Sequence, residues 1–231
     1  MSLDNFEKID LKKRWPLQIF RGMKSRHALA MYLTIKRCFD VVAAAAGLII
    51  LAPALILIAL AIWLEDGSPV IHKRWCVGWN GPYAMLKFRT MVKDADHLDK
   101  YLSAEQIEAY RRNVKVDRDP RVTRVGSFLR RASLDELPQL VNVLRNEMSL
   151  VGPRPMVEEE AVRYGNDAPL VLSVKPGITG YWQVKGRSDC TYESGERQRL
   201  ELYYVYHRCL GLDISILLQT FRAVLSRKGA R

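Results

Sequence analysis

The sequence predicts a mainly α-helical protein with a small β-hairpin and one long membrane-embedded helix, and three features of the chain support this prediction. The first is an uncharged apolar run of 24 residues from Val41 to Leu64, which is long enough to cross a bilayer as a helix. The second is the helical spacing of apolar residues after position 133 and again after position 199. The third is the turn signal Asn80-Gly81 between two short strand-like segments.

The charge balance of the chain limits the classes of partner that we expect it to bind. Among 231 residues, 36 Lys and Arg against 25 Asp and Glu give a formal net charge of +11. A basic surface suits nucleic acid, anionic lipid or a phosphorylated substrate. The chain contains no zinc-finger, helix-turn-helix or RNA-binding aromatic motif, so we do not expect a nucleic-acid partner. Four widely spaced cysteines and the lack of an HExxH motif argue against a disulfide framework and against a zinc enzyme.

The composition divides the chain into a polar, basic leader over residues 1–35, a membrane segment over 36–66 and a polar remainder over 67–231. Pro53 lies near the centre of the apolar run. A proline inside a helix removes one backbone hydrogen bond, so we expect a kink at Ala52-Pro53. Basic residues flank the run on both sides, and charge therefore leaves two topologies open, a spanning helix and a re-entrant one.

The residues alone leave two alternative roles open for each of two further segments. Strands are expected over 70–77 and 83–88, and Lys87 and Arg89 at the end of the second strand are either solvated charges or phosphate ligands. The last helix, over 214–225, is basic and amphipathic. It lies in a membrane interface or packs against the core.

An acidic pair, Asp135-Glu136, follows Arg130 and Arg131 directly. The apolar spacing predicts a helix that starts here, and Ser133 with Glu136 fits the Ser-x-x-Glu capping box. Both acids would then lie in the first turn, where unpaired N–H groups keep carboxylates ionised and favour a phosphate or Mg²⁺-phosphate nearby. The simpler alternative is that Glu136 only caps the helix. Two adjacent acids do not readily flank a glycosidic bond at a separation of ~5–9.5 Å, which argues against a glycosidase.

Two basic loops follow the acidic pair. Arg154 lies between Pro153 and Pro155, which favour an extended, stiff backbone, and its guanidinium is suited to bidentate contact with a phosphate. The alternative is a rigid turn with an exposed arginine. The segment 175–187, which ends at Arg187, is rich in glycine, basic and aromatic residues and fits a nucleotide base and its phosphates.

Together these motifs resemble the monotopic phosphoglycosyl transferases of the bacterial sugar transferase family, over roughly residues 32–231. Within the family the chain is most similar to exopolysaccharide priming enzymes that use UDP-galactose or UDP-glucose. One departure is Ala52, where the family frequently has serine before the proline. The motifs that carry the resemblance are Lys36-Arg37-Cys38-Phe39-Asp40, the apolar run with Pro53, Lys87-Phe88-Arg89-Thr90-Met91, Ser133 to Leu140, Gly152-Pro153-Arg154-Pro155 and Pro176 to Gly180.

The resemblance implies a re-entrant membrane helix over 36–66, a cytosolic catalytic domain over 67–231, amphipathic interfacial helices and Mg²⁺. It also implies a two-step reaction in which an aspartate attacks the sugar-bearing phosphate of the UDP-sugar, UMP leaves, and undecaprenyl phosphate takes the phosphosugar. The implied site residues are Asp135 as nucleophile, Asp135 and Glu136 as metal ligands, Arg130 beside them, Lys87, Arg89, Arg154 and Arg187 for the substrate, and Lys36, Arg37, Ala52 and Pro53 in the membrane segment.

The expected location is the cytosolic face of a bacterial inner membrane, in contact with its lipids, and a homodimer is compatible with the resemblance. A different class of protein also fits part of the pattern. A noncatalytic, membrane-tethered protein would use the basic surface to bind anionic lipid or a partner in polysaccharide assembly. Release of UMP from a UDP-sugar separates the two hypotheses.

Overall fold

The computed structural model describes residues 25–113, 116, 119–186 and 195–225, and over these residues the chain is mostly helical, as predicted. Two short 3₁₀ turns, Leu134–Glu136 and Gly165–Asp167, interrupt the succession of elements. The helices and strands are α1 (Arg26–Asp66), β1 (Ile71–Gly78), β2 (Gly81–Phe88), α2 (Leu98–Tyr101), α3 (Ala104–Asn113), α4 (Arg124–Ala132), α5 (Gln139–Leu144), β3 (Ser149–Val151), α6 (Glu158–Val162), α7 (Ala168–Leu172), β4 (Gly177–Thr179), α8 (Tyr181–Lys185), α9 (Glu196–His207) and α10 (Leu210–Leu225).

The described residues form two compact units. The larger unit contains residues 25–50, 73–86 and the described part of 139–225, and the smaller unit contains residues 51–72 and the described part of 87–138. Helix α1 and both strands of the hairpin contribute residues to each unit.

Helix α1 contains the predicted apolar run and extends well beyond it, over 41 residues. It begins at Arg26, inside the segment assigned to the leader, whereas residues 1–24 lie outside the described part of the chain. Of the helices that the structure describes, it is the one long and apolar enough to cross a membrane, and 6% of its most apolar 18-residue window is buried. Ala52 and Pro53 lie inside the helix, which continues past them; the kink and the re-entrant path stay predictions.

Polar contacts hold the first half of α1 within the larger unit. Lys36 Nζ donates to the carboxylate of Asp213 at 3.0 Å, and Arg37 Nη1 donates to the carbonyl of Val143 at 2.7 Å. The buried carboxylate of Asp40 accepts a hydroxyl and an amide hydrogen bond from β3, at 2.7 and 3.0 Å. Lys36 and Arg37, predicted to flank the membrane segment, are therefore also structural contacts.

The end of α1 is held in the same way within the smaller unit. Glu65 accepts hydrogen bonds from the backbone amides of Arg124 and Val125, at 2.8 and 3.1 Å, and so caps the start of α4. Asp66 forms an ion pair with Arg89 at 3.0 Å. Polar contacts thus hold α1 on either side of its apolar run, at residues 36–40 and at residues 65–66.

The hairpin is confirmed, and a second small sheet was missed by the sequence analysis. Strands β3 and β4 pair in parallel, with Ser149 opposite Gly177 and Val151 opposite Thr179. Strands of three residues are too short to show an alternating pattern, so this sheet could not be read from periodicity. A Cβ atom on Gly152 would lie 2.2 Å from the carbonyl oxygen of residue 175, which explains why glycine is needed beside the pair.

Helix α10 has two apolar faces. Its inner face packs into the core of the larger unit, where Ile216 is fully buried against Tyr204. Its outer face carries Ile214, Leu218 and Phe221, whose side chains are 55–65% exposed. Packing against the core is therefore confirmed for one face, and an interfacial position stays a prediction for the other.

The core of the smaller unit positions α4 against the end of β2. Ile62, Phe88 and Leu129 form a buried cluster that joins α1, β2 and α4. On the same helix, Gly126 approaches the backbone of Thr90 so closely that an added Cβ would lie 2.1 Å from the Thr90 carbonyl oxygen. Thr123 Oγ1 caps the helix by accepting from the Gly126 amide at 2.9 Å. Helix α4 is thereby fixed in both position and direction.

We predict that Gly126→Ala destabilises the protein, because a backbone contact of this kind does not yield as a side-chain contact does. Overpacking of this type costs about 2–3 kcal/mol, or roughly 4–12 °C in the melting temperature of a chain of this size. Gly211→Ala in α10 is the matched control, since its Cβ would enter open space. Thermal unfolding of both purified variants measures the difference, and equal melting temperatures would contradict the close approach.

Candidate active site

The acidic pair lies in a short turn between two helices and not at the start of one. Ser133 adopts a left-handed conformation, with φ 55°, and its amide closes the end of α4. A single 3₁₀ turn then carries Asp135 and Glu136, and α5 begins at Gln139. The Ser133 side chain makes no capping hydrogen bond, so the predicted capping box is wrong. The apolar spacing runs through this 3₁₀ turn and on into α5. Periodicity alone therefore predicted one helix from Ser133 onward, where the structure has a turn followed by a helix.

The two carboxylates have different surroundings. Lys87 Nζ donates to Glu136 Oε1 at 2.7 Å, an ion pair that joins the end of β2 to the acidic turn. Among the described residues, no side chain donates a hydrogen bond to the half-buried carboxylate of Asp135. Glu136 is therefore engaged as the partner of Lys87, whereas the oxygens of Asp135 remain available to a reactant.

Burial raises the pKa of Asp135 above that of an ordinary aspartate. The positive charge of Lys87 acts against this effect, the negative charge of Glu136 adds to it, and Arg130 lowers the pKa again. The sequence predicts that unpaired N–H groups keep both carboxylates ionised. At Asp135 a backbone hydrogen bond does lower the pKa, but Lys87 has the larger effect, and together with Arg130 they stabilise the carboxylate against the cost of burial.

Arg130 is brought to the acidic turn by residues to which the sequence analysis assigned no role. Its Nε donates to Thr90 Oγ1 at 2.8 Å. Its guanidinium interacts electrostatically with the carboxylates of Asp135 and Asp119, and Asp119 is itself held by Arg121 at 2.6 Å. Thr90 belongs to a quoted motif, but its hydroxyl acts on a residue 40 positions away, and no local pattern could have revealed that contact.

Arg89 is not found in this cluster. The buried guanidinium of Arg89 pairs with Asp66 and donates to the carbonyl oxygens of Asp66 and Gly67, at 3.1 and 2.7 Å. These contacts fix the end of α1, and a role for Arg89 in substrate binding stays a prediction. Arg187 lies outside the described residues.

Arg154 lies in the larger unit, within a cluster of its own. Its guanidinium carbon is 5.7 Å from the centre of the Trp182 ring, and Arg197 lies over the same ring at 4.4 Å. The fully buried Glu201 accepts a hydrogen bond from the Arg154 backbone amide at 3.0 Å. This contact fixes the loop between the two prolines, so the stiffness that the sequence predicted is reinforced by a buried carboxylate.

Glu201 is an unusual group for such a position. Burial raises its pKa to about 7, against the opposing effects of the Arg154 amide and of the charges on Arg197 and Arg154. Glu201 could not be singled out from the sequence, because a glutamate within an amphipathic helix is most often a solvated surface residue.

The two acids of the turn are also the candidate metal ligands. Among the described residues, no group of three or more His, Cys, Asp or Glu side chains is arranged to hold a metal ion. Mg²⁺ is commonly bound by one or two carboxylates together with phosphate oxygens of a substrate. Asp135 and Glu136 fit that donor set, although one oxygen of Glu136 already accepts from Lys87.

Comparison with known proteins identifies the family of the chain. The family model for bacterial sugar transferases matches residues 31–227. A UDP-galactose-lipid carrier transferase of Erwinia amylovora is 43% identical over 201 residues, which cover 85% of this chain and 41% of that protein. The exopolysaccharide production protein ExoY of Rhizobium meliloti is 41% identical over 199 residues, which cover 84% and 87%. An undecaprenyl-phosphate glucose phosphotransferase of Komagataeibacter xylinus is 39% identical over 237 aligned positions, which cover 92% and 41%.

The chain belongs to the bacterial sugar transferase family, as its motifs predicted. It spans about two fifths of the length of the Erwinia and Komagataeibacter relatives and most of the length of the Rhizobium protein.

Proposed function

We propose that this protein transfers a hexose-1-phosphate from a UDP-sugar to undecaprenyl phosphate and releases UMP, the first membrane step in the synthesis of an exopolysaccharide or related glycan. The observation that carries the proposal is the division of roles in the acidic turn, where Glu136 is paired with Lys87 and, among the described residues, no side chain is paired with Asp135. The names of the relatives, which include a galactose and a glucose transferase, support UDP-galactose or UDP-glucose as the donor.

In the first step, a carboxylate oxygen of Asp135 attacks the phosphorus that bears the sugar. The bond between this phosphorus and the bridging oxygen breaks, and UMP leaves with the electron pair. A covalent aspartyl-phosphosugar remains on the enzyme. Splitting the transfer into two displacements is the usual advantage of an enzyme nucleophile. Burial favours this step, because a poorly hydrated carboxylate has less solvent to lose on attack.

In the second step, a phosphate oxygen of undecaprenyl phosphate attacks the same phosphorus. The bond to Asp135 breaks, the carboxylate is restored, and undecaprenyl-diphospho-sugar is the product. The soluble donor and the lipid-anchored acceptor thus react in turn at Asp135.

The basic side chains have separate tasks in this scheme. Lys87 and Arg130 lie beside the nucleophile and offset negative charge on the transferring phosphoryl group. Arg154 belongs to the larger unit, and the binding of a phosphate by its planar guanidinium stays a prediction. Asp135 and Glu136 would hold Mg²⁺, which when bound supplies positive charge to the phosphate oxygens.

A re-entrant path for α1, with both ends on the cytosolic side of the membrane, is part of this proposal. Basic residues on both sides of the apolar run, the central Pro53 and membership of the family support it.

We predict that Asp135→Asn abolishes UMP release, because a neutral amide cannot form the acyl-phosphate. The loss should be roughly 10³-fold or more, as for other enzyme nucleophiles. Glu136→Gln should also be strongly impaired, while Asp96→Asn, an exposed residue of the same unit, should behave like the wild type. The assay measures UMP from UDP-galactose and from UDP-glucose, with undecaprenyl phosphate present.

Two outcomes of this assay would count against the proposal. Normal release by Asp135→Asn would exclude the covalent mechanism. Failure of the wild type to release UMP from either donor would favour the noncatalytic, lipid- or partner-binding protein.

We further predict that Lys87→Met shifts the acid limb of the pH profile upward. The nucleophile must be ionised, so the rate falls as the pH drops through the pKa of Asp135. Removal of a neighbouring positive charge destabilises the carboxylate and raises that pKa further. The pH profile of kcat/KM for the UDP-sugar reports the pKa of Asp135 in the free enzyme. Lys87→Arg keeps the charge and should leave the limb nearly in place, as should Lys93→Met; a downward shift in Lys87→Met would refute this electrostatic role.

A further inference from the structure

The loop that carries Arg154 has a single backbone donor. Pro153 and Pro155 have no N–H group, so the amide of Arg154 is the only backbone N–H of the three residues. Glu201 of α9 accepts the hydrogen bond of this amide at 3.0 Å. In addition, the carbonyl of Pro153 accepts from the amide of Gly177 in β4 at 2.8 Å. The backbone of Arg154 is thereby fixed by two elements, and the side chain of Glu201 provides one of the two contacts.

A carboxylate at the position of Glu201 is costly for the fold. The residue is 1% exposed, and its second oxygen, Oε2, makes no hydrogen bond with a described residue. Removal of a carboxylate from water is unfavourable unless hydrogen bonds and opposite charges replace the lost hydration. Tyr204 and Val205 of the same helix lie in the core of the larger unit, where an apolar side chain would pack without this cost. A costly polar group in a core position is typical of a functional site.

The guanidinium of Arg154 is oriented by its surroundings. It lies 5.7 Å from the centre of the Trp182 ring, and its Nε is buried and makes no hydrogen bond with a described residue. The terminal nitrogens, Nη1 and Nη2, also make no hydrogen bond with a described residue, but they are accessible. These two nitrogens form a planar edge that can bind two oxygens of one phosphate. Arg154 therefore presents this edge outward, and a displacement of its backbone would displace the edge.

We propose that Glu201 is a positioning residue of the transfer reaction, which fixes the backbone of Arg154 so that its guanidinium meets a phosphate of the UDP-sugar. This role rests on the proposed function, and Glu201 itself touches no reactant. The hydrogen-bond acceptor, and not the charge, is the part of Glu201 that performs the task. Burial raises the pKa of Glu201 to about 7, so much of the protein already has a neutral side chain at this position near neutral pH.

Two substitutions separate the acceptor from the charge. Glu201→Gln keeps a carbonyl oxygen at the same reach and removes the charge. Glu201→Met keeps the length of the side chain but leaves the Arg154 amide without its acceptor. Tyr204→Phe is the matched control on the same helix. It removes a buried hydroxyl whose contacts are with Asp213, at 2.7 Å, and with Val151, at 3.3 Å, and not with Arg154.

The two steps of the reaction are assayed separately. With two successive displacements, kcat/KM for the UDP-sugar reports the first step and kcat/KM for undecaprenyl phosphate reports the second. We expect Glu201→Met to lower the first value roughly 10- to 100-fold, because a binding group displaced by about 1 Å has an effect of that order. The second value should change little. Glu201→Gln and Tyr204→Phe should retain both values.

A double-mutant cycle with Arg154→Lys identifies the group through which Glu201 acts. Lysine lacks the planar pair of donors, so Arg154→Lys should itself lower kcat/KM for the UDP-sugar. In that background Glu201→Met should have much less effect, because the guanidinium that Glu201 positions is no longer present. Independent effects would multiply instead.

Melting temperatures are measured on the same samples. If Glu201→Met does not fold, a second variant carries the test. Glu201→Met is combined with Arg197→Met, which removes the neighbouring positive charge as well, and is compared with Arg197→Met alone.

Four results would overturn the proposal. Glu201→Met would retain kcat/KM for the UDP-sugar. Both steps would be slowed equally in Glu201→Met, together with a lower melting temperature, as expected of a structural residue. The effects of Glu201→Met and Arg154→Lys would multiply. Glu201→Gln would be impaired as strongly as Glu201→Met, which would assign the effect to the charge. All four leave the proposed function intact, whereas a wild type that releases no UMP would overturn that function and this role together.

Discussion

The ion pair between Lys87 and Glu136 is the interaction on which the rest of the site depends. It joins the end of strand β2 to the acidic turn, across 49 positions of sequence, with a charge-assisted hydrogen bond of 2.7 Å. Lys87 donates its hydrogen bond to Glu136. The positive charge of Lys87 still lowers the pKa of the neighbouring Asp135, to which it is not hydrogen-bonded. Two adjacent acids that look alike in the sequence thereby differ in the structure: Glu136 is the partner of Lys87, and Asp135 is the proposed nucleophile.

A second constraint places this pair. Gly126 allows α4 to touch the backbone of Thr90, and the hydroxyl of Thr90 holds Arg130 beside Asp135. The left-handed Ser133 then ends α4 so that the acids follow in a tight turn. A backbone contact, a side-chain hydrogen bond and one unusual φ angle thus act together over a few residues.

The sequence predicted those features that are local or that recur as motifs. The apolar run at 41–64 and the turn at Asn80-Gly81 are local signals, and both the helix and the hairpin are found. The family was predicted from ordered motifs and is confirmed. The start of the helix at Ser133 was predicted wrongly, because apolar spacing continues through a turn that the backbone does not follow as an α-helix. The contacts of Thr90 and Glu201 depend on residues far away in the chain, and single-sequence patterns carry no information about such pairs.

The most direct test of the account is to look for the covalent intermediate. Wild-type protein is incubated with the UDP-sugar in the absence of lipid acceptor, quenched, digested and examined by mass spectrometry. We expect the peptide that contains Asp135 to carry one hexose phosphate, localised to Asp135, and to lose it when undecaprenyl phosphate is added before the quench. An unmodified peptide despite UMP release, or a phosphosugar localised to Glu136, would contradict the assignment of Asp135 as the nucleophile.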